Sequence, residues 1–140
     1  MKTTQKTLFC TILLLLAFAL GCSGNVRFGG NVTFSDDGSP LTIGTVCFES
    51  SSFLSRGELD QNGRYNLGSV SAKDGIPKGT YNVYITGAAK GSMNESGAPV
   101  LTPLIDPKYV AGHTSGLTVT IDGKSKSFDI QVDRYQASQR

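Results

Sequence analysis

His113 is the chain's single histidine and the first residue to test for chemistry. It sits in "AGHTSG", small and polar, which reads as a solvated loop. A zinc site needs three or four nitrogen, sulfur or oxygen ligands. One histidine with cysteines scattered at 10, 22 and 47 offers no such set. Serines are plentiful, but no G-x-S-x-G turn presents one of them as a nucleophile beside a base. Asp60 and Asn62 in "DQNG" could open a calcium loop; the later ligands, the terminal Glu and the flanking helices are missing. A tight turn accounts for the same residues. Asp36-Asp37 could hold calcium only with help from other loops, and turn chemistry again suffices. Asn31-Val32-Thr33 and Asn94-Glu95-Ser96 fit the glycosylation sequon. The residues thus assign no catalytic group, no metal ligand and no cofactor.

One cysteine carries a different chemistry. Lys2 and Lys6 form a short basic start, and Leu8 to Leu20 is apolar at every position but Thr11. A helix needs roughly 20 residues to cross the hydrocarbon core, so this run suits the core of a secretory signal better than a span. "ALGC" (Ala19 to Cys22) resembles a bacterial lipobox. That resemblance implies a diacylglyceryl group on the Cys22 thiol and cleavage before it, so that residues 1–21 are removed. Ala19 stands where such signals usually have Leu. An ordinary signal peptide cut near Ala19 or Gly21, or an uncleaved anchor, also fits the segment. Ser23, rather than Asp, follows the cysteine, which by the same resemblance favours the outer membrane. With Cys10 removed and Cys22 lipidated, Cys47 is left alone in "TVCFE", a buried thiol with no internal disulfide partner.

Residues 22–140 suffice for one domain. The formal net charge of +2, from thirteen Lys and Arg against eleven Asp and Glu, is supplied by Lys2 and Lys6. Without them the chain is balanced and has no basic run, so nucleic acid is not an expected partner. Seven short segments carry the elements: 26–34, 43–50, 52–59, 63–70, 79–87, 116–122 and 126–132. They are rich in β-branched and aromatic residues and often alternate. Tyr81, Val83 and Ile85 share one face, with Asn82 and Tyr84 opposite; Leu117, Val119 and Ile121 share another. Asn62-Gly63 and Asp122-Gly123 read as hairpin turns. Seven strands at this spacing predict an all-β sandwich. Residues 88–115 break the rhythm as a long loop. Its Gly- and Ser-rich start, 88–99, is expected to be mobile. Val100, Leu104, Ile105 and Tyr109 are expected to dock on the sandwich.

"GGNVTFSDDGSPLTIGTVCFES", "RGELDQNGRYNLGSV" and "IPKGTYNVYITG" resemble the carboxypeptidase regulatory-like, or transthyretin-like, domain over residues 28–87. "TSGLTVTIDGKSKSFDIQV" supplies the last two strands. The resemblance implies a seven-stranded Greek-key-type sandwich across 28–135, after a short linker at 22–27 and before a polar tail at 136–140. The layout also resembles short bacterial lipoproteins of unknown function with an "I-x-x-K-Y…TSGLT" segment, here Ile105, Lys108, Tyr109 and Thr114 to Thr118. A related purine-pathway hydrolase depends on several histidines and a C-terminal Ser motif, which "RYQASQR" and a lone His113 do not supply.

The expected function is therefore a non-catalytic module of the bacterial cell envelope. It is held to the membrane by lipid on Cys22 and contacts an envelope protein or glycan, or supports envelope structure. A small-ligand carrier with a pocket between loops or subunits is the alternative, ahead of an unrecognised enzyme. An exposed aromatic row would favour glycan or protein contact, and a deep apolar cavity the carrier.

Overall fold

A computed structural model describes residues 24–71 and 74–137. The signal segment and Cys22 lie outside the described residues. The strands are β1 (Phe28–Phe34), β2 (Thr45–Glu49), β3 (Leu54–Glu58), β4 (Arg64–Leu67), β5 (Gly79–Thr86), β6 (Ala89–Met93), β7 (Pro99–Pro103), β8 (Leu117–Ile121) and β9 (Ile130–Val132), with a 3-10 helix at Pro107–Val110. They form a three-stranded sheet, β4-β1-β9, a four-stranded sheet, β3-β2-β5-β8, and a separate β6-β7 pair.

Alternation in sequence becomes a core because successive side chains of a strand point to opposite faces. In β5, Tyr81, Val83 and Ile85 are buried while Thr80, Asn82 and Thr86 are exposed. Val32 and Phe34 of β1 meet them from the other sheet as part of the same cluster. Phe48 of β2 joins the layers, its ring 6.0 Å from Phe28 and 5.9 Å from Tyr65. Tyr65 keeps its hydroxyl satisfied inside the core by donating to the Phe128 carbonyl. The two large sheets thus pack face to face.

β1 serves two partners. Phe28 to Asn31 pair antiparallel with β4, and Val32 to Phe34 pair parallel with β9. Gly29-Gly30 permits this crowding: a side chain on Gly29 would strike the Tyr65 carbonyl, and one on Gly30 the Phe128 carbonyl. The first and last strands of the domain are thereby tied together.

Four expectations change. The structure has nine strands among the described residues rather than seven, because 88–115 is not one long loop. Ala89 to Met93 pair with Pro103 to Pro99 in a five-residue hairpin, closed by Asn94, whose side chain accepts from the Ser96 and Ala98 amides. Ile105 and Tyr109 are buried as expected, but Val100 is 40% exposed and does not dock. Asn62-Gly63 also departs from its reading. Gly63 has φ 73° and Asn62 does not have positive φ. The turn is a corner between sheets, because β3 pairs with β2 while β4 pairs with β1. Asp122-Gly123 likewise joins β8 in one sheet to β9 in the other.

Candidate functional site

Asp133, just after β9, organises one end of the domain. Its carboxylate accepts from Ser35 Oγ at 2.6 Å, Lys108 Nζ at 2.6 Å and Tyr109 Oη at 3.1 Å. The 3-10 helix presents Lys108 and Tyr109, with Asp106 capping it by accepting from the Lys108 amide at 2.9 Å. Lys108 Nζ also sits 4.8 Å from the Tyr109 ring centre. Arg134 continues the cluster. It donates to Asp36 and Asp37, each at 2.8 Å, and to Ser39 Oγ, with its guanidinium stacked 3.7 Å from the Phe34 ring. Thr114 Oγ1 donates to the Lys108 carbonyl and Ser115 Oγ to the Val83 carbonyl. The "I-x-x-K-Y…TSGLT" segment therefore acts as a clamp, fastening the 3-10 helix to β5 and to the chain after β9. No spacing in the sequence points from Lys108 to Asp133.

These bonds set the acid behaviour. The Lys108 and Ser35 bonds bring Asp133 from 3.8 down to about 2. Asp37 falls from 3.8 to about 2, chiefly through Ser39 and then Arg134. Carboxyls whose folded pKa is depressed stabilise the fold above their unfolded value and lose that contribution as pH falls through the folded one. Thermal stability is thus expected to drop between about pH 4 and pH 2. In Asp133→Asn that drop should be shallower, as read from Tm against pH. An unchanged acid limb would remove Asp133 from the account.

His113 is exposed as expected. It lines an open cleft of about 480 Å³ with Glu49, Ser50, Ser51, Thr80, Asn82 and Gly112. Gly112 roofs the outer face of β5: a side chain there would lie 3.4 Å from Tyr84. Tyr84 is half-buried and pairs with Cys47 across β2–β5. Burial raises its hydroxyl pKa. Tyr84 thus covers Cys47, which is 1% exposed, and neither belongs to an outward aromatic row. Among the described residues the exposed aromatic is Tyr135. No group of three or more potential metal ligands occurs among them. Asp60 is engaged by the Asn62 and Arg64 amides at 2.8 and 2.9 Å, which lower its pKa and identify it as a turn residue. Asp36 and Asp37 are committed to Arg134. Asn31 donates to Asp129 at 3.0 Å, and Asn94 serves its turn.

The surface that sequence reasoning missed is the β6–β7 hairpin. In its register Gly91 faces Leu101 and Met93 faces Pro99, with Pro103 opposite Ala89. Met93 is 72% exposed and Leu101 75% exposed. One face of the hairpin is thus apolar and wet. "AKGSM" has no alternation of apolar and polar bulk, so it leaves no strand signal to find.

No protein-family model and no curated protein match the chain. Two crystal structures of BcpA, the major pilin subunit of Bacillus cereus, one of them a point variant, overlap 81% of it at 15% identity. Their TM-scores are 0.49 and, for the variant, 0.47. This chain spans 31% and 30% of those chains, about a third of their length. At that level the likeness carries no information on function.

Proposed function

We propose that this chain is a non-catalytic, lipid-anchored module of the bacterial cell envelope, of the transthyretin-like carboxypeptidase regulatory type. We further propose that its β6–β7 hairpin contacts a partner protein. The observation that carries this reading is the hairpin's apolar face. Met93, Pro99, Leu101 and Pro103 are all exposed and lie on one side of a two-stranded sheet that joins neither large sheet. Exposed contiguous apolar surface on a small domain marks an interaction site more often than a solvated ornament. A hairpin of two strands is marginal in water by itself, so a partner that covers it also stabilises it.

The anchor supports the same arrangement. Val26, four residues after the lipidation candidate Cys22, pairs with Ile76 just before β5, while the hairpin leaves β5 at its far end. β5 has eight residues, which at about 3.3 Å each separates the two ends by roughly 25 Å. The hairpin is therefore not pinned against the bilayer by its own tether. Ser23 favours the outer membrane. Protein is preferred to glycan because the exposed face offers aliphatic side chains rather than rings.

A Met93→Ser/Leu101→Ser chain tests this. Both positions are exposed, so Tm should stay within about 3 °C of wild type. In cells treated with a short cross-linker, defined adducts of the wild-type chain should weaken at least tenfold in the variant. Adducts of undiminished strength would exclude the hairpin as the contact.

A further inference from the structure

Arg27, Lys78, Lys124 and Lys126 form no run in the sequence, yet the fold gathers them at one end of the sandwich. Arg27 and Lys78 stand just before β1 and β5, and Lys124 and Lys126 lie in the turn that follows β8. Backbone bonds hold these segments together. Val26 donates to the Ile76 carbonyl at 2.8 Å and accepts from the Ile76 amide at 2.9 Å, and the Lys126 carbonyl accepts from the Gly29 amide at 3.2 Å. A side chain on Gly123 would lie 3.4 Å from Lys78 Nζ and 3.7 Å from Val26, so the turn after β8 sits beside both. The four cations are exposed, and none of them forms an ion pair among the described residues. Asp74 and Asp122 share these loops but face backbone amides: Asp74 accepts from Ser69, Val70 and Ser71, and Asp122 from Lys124. The far end has the opposite character. Asp36, Asp37, Asp106 and Asp133 lie beyond the ends of β1 and β9, where Lys108 and Arg134 are already paired.

We infer that this basic end lies against an anionic phospholipid surface. The inference rests on the lipid anchor proposed above, and the tether is what selects a membrane as the occupant. Ile76 fixes Val26, and Cys22 stands four residues before it. Four residues span at most about 14 Å. An acylated Cys22 therefore holds Arg27 and its neighbours within reach of the headgroups and leaves no room for another domain between. Basic residues beside a lipid chain supply a second signal for the same surface. Each Lys or Arg close to an anionic leaflet favours contact by roughly fivefold, so four of them set an orientation that one flexible tether cannot. The surface that attracts this end repels the acidic one. β1 separates the two ends by roughly 20 Å. The domain thus stands on its basic end, with the β6–β7 hairpin turned to the aqueous side.

The test reconstitutes the full chain, with a fluorescent residue encoded at Ser125, into two kinds of vesicle. One is phosphatidylcholine alone and the other contains phosphatidylglycerol; both carry nitroxide-labelled headgroups as quenchers. Ser125 lies between the two turn lysines and is exposed. Its quenching should be several-fold stronger on the anionic vesicles. It should fall away between about 0.1 M and 1 M salt, as screening shortens from about 10 Å to 3 Å. Lys78→Glu/Lys124→Glu/Lys126→Glu changes exposed positions, so it should melt within a few degrees of wild type and lose most of the quenching. Equal quenching on both vesicles, no response to salt, or full quenching in a folded triple variant would overturn the inference. The vesicle and salt comparisons serve alone if the variant fails to fold. Binding of dextran sulfate without a response to phosphatidylglycerol would give the face to an acidic glycan and also overturn it. Flotation with phosphatidylcholine vesicles reports the anchor separately. A chain that fails to float there has lost the anchor reading; salt-sensitive flotation with the anionic vesicles would still support the basic face, and none would overturn it.

Discussion

Val83→Asp is expected to unfold the domain. Val83 is fully buried at the middle of β5, opposite Phe48 of β2 on one side and Leu117 of β8 on the other. Its side chain points between the sheets, with Tyr81 and Ile85. An ionised carboxylate there has no cation to pair with among the buried residues. Such a group either stays charged at a cost of several kcal/mol or takes up a proton and leaves a polar group among hydrocarbon. The lost Val side chain adds about 1.5–3 kcal/mol of forfeited burial. A domain of this size is stable by about 5–15 kcal/mol, so most of the margin disappears. Thermal melting should show a loss of tens of degrees or no cooperative transition. Asn82→Asp, on the exposed face one residue away, should melt within a few degrees of wild type. A Val83→Asp chain that melts like Asn82→Asp would mean that β5 presents its other face to the core.

Cys22→Ser should stop fatty-acid labelling and either release the chain or trap it as precursor. Two or three acyl chains at about 0.8 kcal/mol per buried methylene would make the proposed anchor firm. No helix among the described residues is long and apolar enough to replace it. Metabolically supplied fatty acid should label the wild type and not the serine variant, and the variant should be released or trapped as precursor. Equal labelling and equal retention would sink the lipid anchor. Cys47 gives no route to a false signal, since it is buried beneath Tyr84 in β2.

What could be read from the chain was local and periodic. The Tyr81/Val83/Ile85 face was legible because a half-buried strand forces a period of two, and β5 is central enough to obey it strictly. The burial of Cys47 was legible from its neighbours. Partnering was not. Asn62-Gly63 states that the chain reverses, and Gly63 does adopt positive φ. Turn chemistry is silent on which sheet receives the next strand, and here β4 crosses to β1. The parallel pairing of β1 with β9 joins residues almost a hundred positions apart, beyond the reach of any window. The clamp at Asp133 has the same character: Lys108 and Asp133 are 25 positions apart and become partners only when the 3-10 helix lands. The hairpin was hidden for the opposite reason. Strand patterns are written by burial on one face, and β6–β7 buries neither.

The most direct test of the contact module is a photoreactive residue placed at Leu101 in cells that make the full chain. Ser51, exposed in the β2–β3 turn at the other end of the sheet, is the matched control. Irradiation should give a discrete adduct with an envelope protein from position 101, several-fold stronger than any from position 51. No adduct from position 101, or equal adducts from both positions, would contradict the account.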